Sequence, residues 1–124
     1  MIRLAVIDYN ASRQSGLALY RAIQQAGIAE VVIVAPSRWE DFGITYTMEE
    51  IADRPEIIPL DVYFSGKQHR VLFKGLAECL RRIDPDLILC NAEPENFLAF
   101  QVEHARRRLR RSVPLALISW RNID

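Results

Sequence analysis

Four aliphatic runs in this chain show no alternation of polar and apolar positions: residues 4–7, 31–35, 87–90 and 115–119. A strand with one wetted face alternates. A strand without alternation is covered on both faces, which is the condition of a parallel sheet. Between these runs the apolar spacing turns helical. Leu19, Ala22, Ile23 and Ala26 recur at i, i+3, i+4 and i+7 in a segment over 13–26 that opens after a candidate N-cap, Ser12, and stops at Gly27. Leu76, Cys79, Leu80 and Ile83 share a second helical face, ended by Asp84-Pro85-Asp86. Leu98, Val102, Ala105 and Leu109 make the inner face of a third helix that opens at Pro94 and runs to Arg110.

The stretch 37–55 has the least pattern, with one helical turn expected over 48–52. Residues 57–64 read as strand. Val62-Tyr63-Phe64 and Arg70-Val71-Leu72-Phe73 flank the turn-like Ser65-Gly66-Lys67-Gln68, which predicts a hairpin. The order is β-α-β-irregular-β-α-β-α-β. Strands interleaved with helices give a parallel sheet with right-handed crossovers. The expected fold is therefore α/β, a Rossmann-like doubly wound sheet of about five strands in the order 3-2-1-4-5, flanked by helices. At 124 residues the chain makes one domain. Four residues follow Trp120, with no covering helix after the last strand, as in a chain cut from something longer.

The 16 basic and 16 acidic side chains cancel, which argues against a nucleic-acid partner. No run of about 18 apolar residues exists to span a bilayer. The N-terminus enters a strand directly and lacks the parts of a secretory signal, so the cytosol is the expected compartment. Cys79 and Cys90 sit among apolar residues and read as core. Two cysteines make neither a disulfide framework nor a zinc site, and no metal or cofactor is expected.

In open α/β sheets, ligands bind outside the carboxyl ends of the strands. Three loops qualify, and all are rich in groups that hydrogen-bond hydroxyls. The first carries Asn10, Ser12 and Arg13, the second Asn91 and Glu93, the third Trp120, Arg121 and Asn122. The first loop lacks Gly-x-Gly-x-x-Gly, which disfavours a nicotinamide or flavin domain and a nucleotide-sugar epimerase or dehydrogenase. No Gly-Lys-Ser/Thr is present, so no P-loop exists. Asn10 and Ser12 suit either a polar ligand or a plain helix cap. Glu93 and Glu95 stand at the positive end of a helix, where carboxylates stabilise it and repel phosphate. Any ligand at that loop should be a neutral hydroxyl. His69 and His104 lack metal-ligand spacing; His69 reads as surface and His104 as structural. Asp8 stands alone, and the last strand ends in Ser119-Trp120 rather than Lys, so a response-regulator site is absent.

The segment Asp84-Pro85-Asp86-Leu87-Ile88-Leu89-Cys90-Asn91-Ala92-Glu93-Pro94 resembles the "P-D-strand-x-x-E-P" stretch of family 4 glycosyltransferases with the two-domain GT-B fold. Val113-Pro114-Leu115-Ala116-Leu117-Ile118-Ser119-Trp120-Arg121-Asn122-Ile123 is similar to that family's "P-V-strand-[ST]-[WH]-x-N-I" segment, and Phe73-Lys74-Gly75-Leu76 is similar too. The resemblance implies the N-terminal, acceptor-side half of an enzyme that moves a sugar from a nucleotide-sugar donor to a saccharide or lipid-linked acceptor, with retention. It implies that Asn91 and Glu93 face the cleft after the fourth strand, and Trp120, Arg121 and Asn122 after the fifth. Asn10, Ser12 and Arg13 stand where the family carries a Gly-Gly loop; Ser15-Gly16 is the nearest remnant here. Cys90 and Asn91 replace the His many members place at the end of the fourth strand. The missing half would hold the donor diphosphate, so the chain alone is expected to be inactive.

The alternative is a flavodoxin-like, non-enzymatic domain that binds a ligand or a protein, because fold does not imply function. Arg106, Arg107 and Arg110 should point away from the sheet, with Glu103 pairing with Arg107. They suit either a solvated helix end or peripheral contact with the inner face of an anionic membrane. Apolar surface left beside the last strand favours self-association.

Overall fold

The computed structural model describes residues 1–11, 17–48 and 55–118. Its elements are β1 (Ile2–Asp8), α1 (Ala18–Gln25), β2 (Ala29–Pro36), β3 (Arg38–Asp41), β4 (Ile44–Thr47), β5 (Glu56–Leu60), β6 (Val62–Tyr63), β7 (Leu72–Phe73), α2 (Leu76–Ile83), β8 (Leu87–Asn91), α3 (Phe97–Arg107) and β9 (Leu115–Ile118). Five strands form one sheet in the order β5-β2-β1-β8-β9, every pair parallel. In terms of the sheet's own strands this is 3-2-1-4-5, the expected order. The direction of winding reverses between β1 and β8.

Side chains along the strands divide the core between the two faces, as the pleat requires. Leu4, Val6, Val31 and Ile33 pack with Leu17 and Tyr20 on the α1 side. Ala5, Ile7, Val32, Val34, Ile88 and Cys90 pack on the other side with the α2 face Leu76, Cys79, Leu80 and Ile83 and the α3 face Leu98, Val102 and Ala105. Both cysteines are buried free thiols whose titration burial pushes upward, Cys90 to about 12. They are core residues, as expected.

The first helix differs from its sequence reading. Leu19, Ala22 and Ala26 are exposed, and Tyr20 is the helix's buried residue. The spacing of Leu19, Ala22, Ile23 and Ala26 is helical, but a different face was selected. The Tyr20 hydroxyl finds a buried acceptor in Asp8, and that pairing sets the rotation. The expected cap at Ser12 lies outside the described residues.

The third helix begins three residues later than expected. Asn96, in extended backbone, precedes it, and Pro94 sits in the turn closed by the Asn96 amide donating to the Glu93 carbonyl at 3.0 Å. Proline's fixed φ suits the second position of such a turn as well as it suits a helix start. The run 57–64 also divides. Asp61 breaks it, because Ser37 and Lys74 amides claim the Leu60 and Asp61 carbonyls at 2.8 Å each. The first part becomes β5, and the second pairs with β7 in the predicted hairpin.

The unpatterned stretch after β2 contains a hairpin that the sequence reading left irregular: β3 pairs antiparallel with β4, Trp39 opposite Tyr46. The helical turn expected over 48–52 falls outside the described residues except for Met48, which is in no helix.

Arg111 ties the opposite end of the sheet together. Its guanidinium reaches the carboxylates of Asp84 (3.3 Å) and Asp86 (2.9 Å) and the carbonyls of Asp84 (3.1 Å) and Pro85 (2.8 Å). The Arg3 amide donates to Asp86 at 2.8 Å. These donors hold the Asp86 carboxyl below its ordinary value. A cation at the end of α2 also meets the negative pole of the helix.

Candidate functional site

β1 and β8 finish side by side, Asp8 opposite Asn91 in register. This is the switch point, where a crevice opens at the carboxyl ends of a doubly wound sheet. Asp8 is 3% exposed. Its Oδ1 accepts from the Asn91 amide at 2.9 Å and from the Asn10 backbone at 2.8 Å. Its Oδ2 accepts from the Tyr20 hydroxyl at 2.5 Å. Burial raises the Asp8 carboxyl above its ordinary value, and these three donors oppose the rise. The Tyr20 phenol is pushed upward by burial and by the neighbouring carboxylate. A buried, fully engaged carboxylate fixes the loop that follows β1.

That loop forms one wall of a cleft of about 520 Å³, within the ~300–1,000 Å³ typical of small-ligand sites. Tyr9 and Asn10 come from the loop. Trp39 and Phe42 come from the β3–β4 hairpin, and residues 66–70 from the connection between β6 and β7. The Tyr9 and Trp39 rings lie 5.4 Å apart, tilted by 44°, in the favourable range for aromatic pairs.

Phe42 is 94% exposed and has φ 50°, followed by Gly43 at φ 75°. Two successive positive φ values define a two-residue turn that normally takes Asn-Gly or Asp-Gly. A bulky residue in the left-handed region costs about 1–3 kcal/mol, and here its ring also stands in water beside the cleft. Neither cost is offset by packing.

The 66–70 connection is fastened on three sides. The Ser65 hydroxyl accepts from the Glu40 amide at 3.0 Å and donates to the Arg38 carbonyl at 3.3 Å. Gly66 has φ 81°, and a Cβ there would collide with the Glu40 carbonyl, so this position requires glycine. The Tyr9 hydroxyl donates to Gln68 Oε1 at 3.2 Å. His69 Nδ1 lies 3.1 Å from Oδ1 of Asn96, a side chain only 3% exposed, while the His69 carbonyl accepts from the Phe97 amide at 3.1 Å. An amide oxygen only accepts, so Nδ1 carries the proton and Nε2 is the ring's remaining hydrogen-bonding atom.

Of the residues expected at the site, Asn10 lines this cleft. Asn91 ends its strand as expected, but its side chain is buried against Asp8 rather than among the cleft-lining groups. Glu93 is half-buried in the 93–96 turn, one turn before the helix it was expected to cap. Ser12, Arg13, Trp120, Arg121 and Asn122 lie outside the described residues. His69, read from sequence as surface, is exposed and lines the cleft. His104 is an exposed side chain on α3, with no core role.

Sequence reasoning missed Tyr9, Trp39, Phe42 and the cationic connection. The available signal was Phe42-Gly43 between β-forming residues, a hairpin dipeptide with an unusual first member.

The arginines in α3 and just after it also divide. Glu103 accepts from Arg106 at 2.8 and 2.6 Å and from Arg107 at 2.9 Å, as expected for Arg107. Arg106 does not point outward: its guanidinium turns back to the Val113 carbonyl at 3.2 Å. Arg107 and Arg110 are exposed. Among the described residues no group of three His, Cys, Asp or Glu side chains comes together to hold a metal. No described helix is long and apolar enough to cross a membrane.

The chain matches no family model and no curated protein. The fold is that of a Rossmann-like α/β domain, with a cleft beside the loop that follows β1.

Proposed function

We propose that this chain is the acceptor-binding domain of a two-domain glycosyltransferase, the cleft beside Tyr9 and Trp39 receiving a saccharide. The observation that carries the reading is Phe42. Its strained, exposed ring stands at the rim of a cleft floored by two further aromatic rings. The C–H face of a sugar is apolar and weakly positive, so it complements the negative face of an aromatic ring. Asn10, Gln68 and the Tyr9 hydroxyl supply neutral partners for sugar hydroxyls, alongside that platform.

In the transfer, an acceptor hydroxyl oxygen bonds to the donor's anomeric carbon as the bond to the nucleoside diphosphate breaks. The hydroxyl proton is released. This domain orients the hydroxyl, which converts a bimolecular encounter into a positioned one. A second domain holds the donor and stabilises the leaving diphosphate. Asn91, at the end of β8, and Glu93 after it belong to the same carboxyl-end region. The proposed compartment is the cytosol.

The test is Phe42→Asn. Asparagine suits the turn, so the variant should gain about 1 kcal/mol in urea unfolding. Its affinity for a panel of mono- and disaccharides, read by calorimetry, should fall about tenfold. The chain alone should bind such acceptors without transferring sugar to them. A variant that is stabilised yet binds saccharides as the parent does removes the reading.

A further inference from the structure

The cleft holds more positive charge than neutral sugar recognition needs. Lys67 and Arg70 both line it, and no acidic side chain does so among the described lining residues. The fixed hydrogen bonds of the connection bring these two cations together. The Lys67 amide donates to the Phe64 carbonyl at 3.0 Å, and the Arg70 and Val71 amides donate to the Lys67 carbonyl at 3.0 and 2.9 Å. An i to i+3 bond of this kind keeps the two α-carbons within about 7 Å. Like charges held on one turn repel each other.

Several arginines of this chain pair with carboxylates: Arg3 with Glu30, Arg106 and Arg107 with Glu103, Arg111 with Asp84 and Asp86, Arg82 with Glu78. Lys67 and Arg70 form no such pair with a described residue. Glu40 and Lys67 both line a neighbouring depression, which shares Phe42, Gly66 and Lys67 with the cleft. His69, between the two cations in sequence, is anchored through Nδ1 to buried Asn96 and adds a third hydrogen-bonding group. The segment is tied to the β3–β4 hairpin, to Tyr9 and to the start of α3, so the backbone from which Lys67 and Arg70 extend is set before any ligand arrives.

We propose that the acceptor is an anion-bearing sugar. Its ring stacks against the aromatic side of the cleft, and its phosphate or diphosphate is held by Lys67 and Arg70. This inference rests on the saccharide reading above and specifies its substrate class. A phosphate oxygen accepts charge-assisted hydrogen bonds from both cations, which are about twice as strong as neutral ones. The anion also relieves the repulsion between them.

Calorimetric titration of the chain with matched pairs tests this: hexoses and N-acetylhexosamines against their phosphates, with inorganic phosphate as a third probe. The phosphorylated member should bind about tenfold or more tightly than its neutral partner. The advantage should shrink as salt rises. It should vanish in the double variant Lys67→Gln, Arg70→Gln, in which a sugar and its phosphate should bind with equal affinity. Both side chains are exposed, so unchanged urea unfolding verifies that the variant is folded. A prenyl diphosphate-linked sugar in detergent, run beside the water-soluble phosphates, separates a lipid-borne source from a free one; preference for either supports the inference. Equal affinity for neutral and phosphorylated sugars overturns it and leaves the saccharide cleft standing. Inorganic phosphate binding as tightly as the sugar phosphates overturns it in favour of a plain anion site. If no member of the panel binds, both the inference and the saccharide reading fall.

Discussion

Asp8 closes β1 with a buried carboxylate, and its three donors explain why it is tolerated there. An ionised group without such partners would cost several kcal/mol to bury. Its carboxyl is raised above the ordinary value by burial. A raised carboxyl contributes stability that is present below the unfolded pKa, about 3.9, and lost as pH rises through the folded value. Glu103, held at about 2 by Arg106 and Arg107, works in the other direction. Its contribution is present above the usual carboxylate range and lost as pH falls toward 2. Paired variants isolate the Asp8 part. Tyr20→Phe removes a donor to the carboxylate and should cost about 1.5–3 kcal/mol at neutral pH. The cost should shrink on acidification, as Asp8 takes up a proton. Asp8→Asn keeps the oxygen that accepts from Asn10 and Asn91, and its new amide can donate to the Tyr20 oxygen. It should therefore be at least as stable as the parent at neutral pH. Urea unfolding of all three proteins across a pH series from neutral down into the ordinary carboxylate range measures the difference. A Tyr20→Phe penalty that stays constant across the series contradicts this account of Asp8.

At the scale of elements, α3 and the residues just after it would carry the contact with an anionic membrane that the sequence allows. Glu103 and the Val113 carbonyl occupy Arg106, which leaves Arg107 and Arg110 as the exposed members of the expected trio. Phe97 and Phe100 are exposed on the same helix. Basic residues near an anionic surface contribute about 1 kcal/mol each. Arg107→Gln with Arg110→Gln should therefore reduce co-sedimentation with anionic vesicles, whereas Arg106→Gln should change it little. Equal pelleting with neutral and anionic vesicles would leave α3 a solvated helix. The same helix shows what was legible in sequence. Leu98, Val102 and Ala105 announced its inner face because aliphatic side chains can do nothing else with a 3.6-residue period. The α1 face was misread because its orientation depends on one polar contact, Tyr20 to Asp8, which periodicity does not report. The site was legible at Asn10, whose place follows from topology. It was hidden at Trp39, Phe42 and Lys67 because short hairpins gather these residues from distant segments. Asp84-Pro85-Asp86, which contributed to the resemblance, is an anchor for Arg3 and Arg111 away from the cleft.

At the scale of the whole molecule, among the described residues the five-stranded sheet has two edges of different character. β5 carries Pro59, which has no amide hydrogen to offer a further strand. β9 carries no proline or charge. Leu115, Leu117 and Ile118 are half-exposed and Ala116 is exposed. Unpaired edge groups next to apolar side chains template the addition of another strand. The expected consequence is concentration-dependent association of the chain through β9. Ala116→Lys places a charge on that edge, the device by which natural sheets block edge pairing, and Ala116 has little packing to lose. Light scattering across a concentration series should show the parent growing in mean mass and the Lys variant remaining monomeric. Unchanged unfolding of the variant would assign the effect to the edge rather than to the fold. A parent chain that stays monomeric at high concentration removes β9 as an association surface.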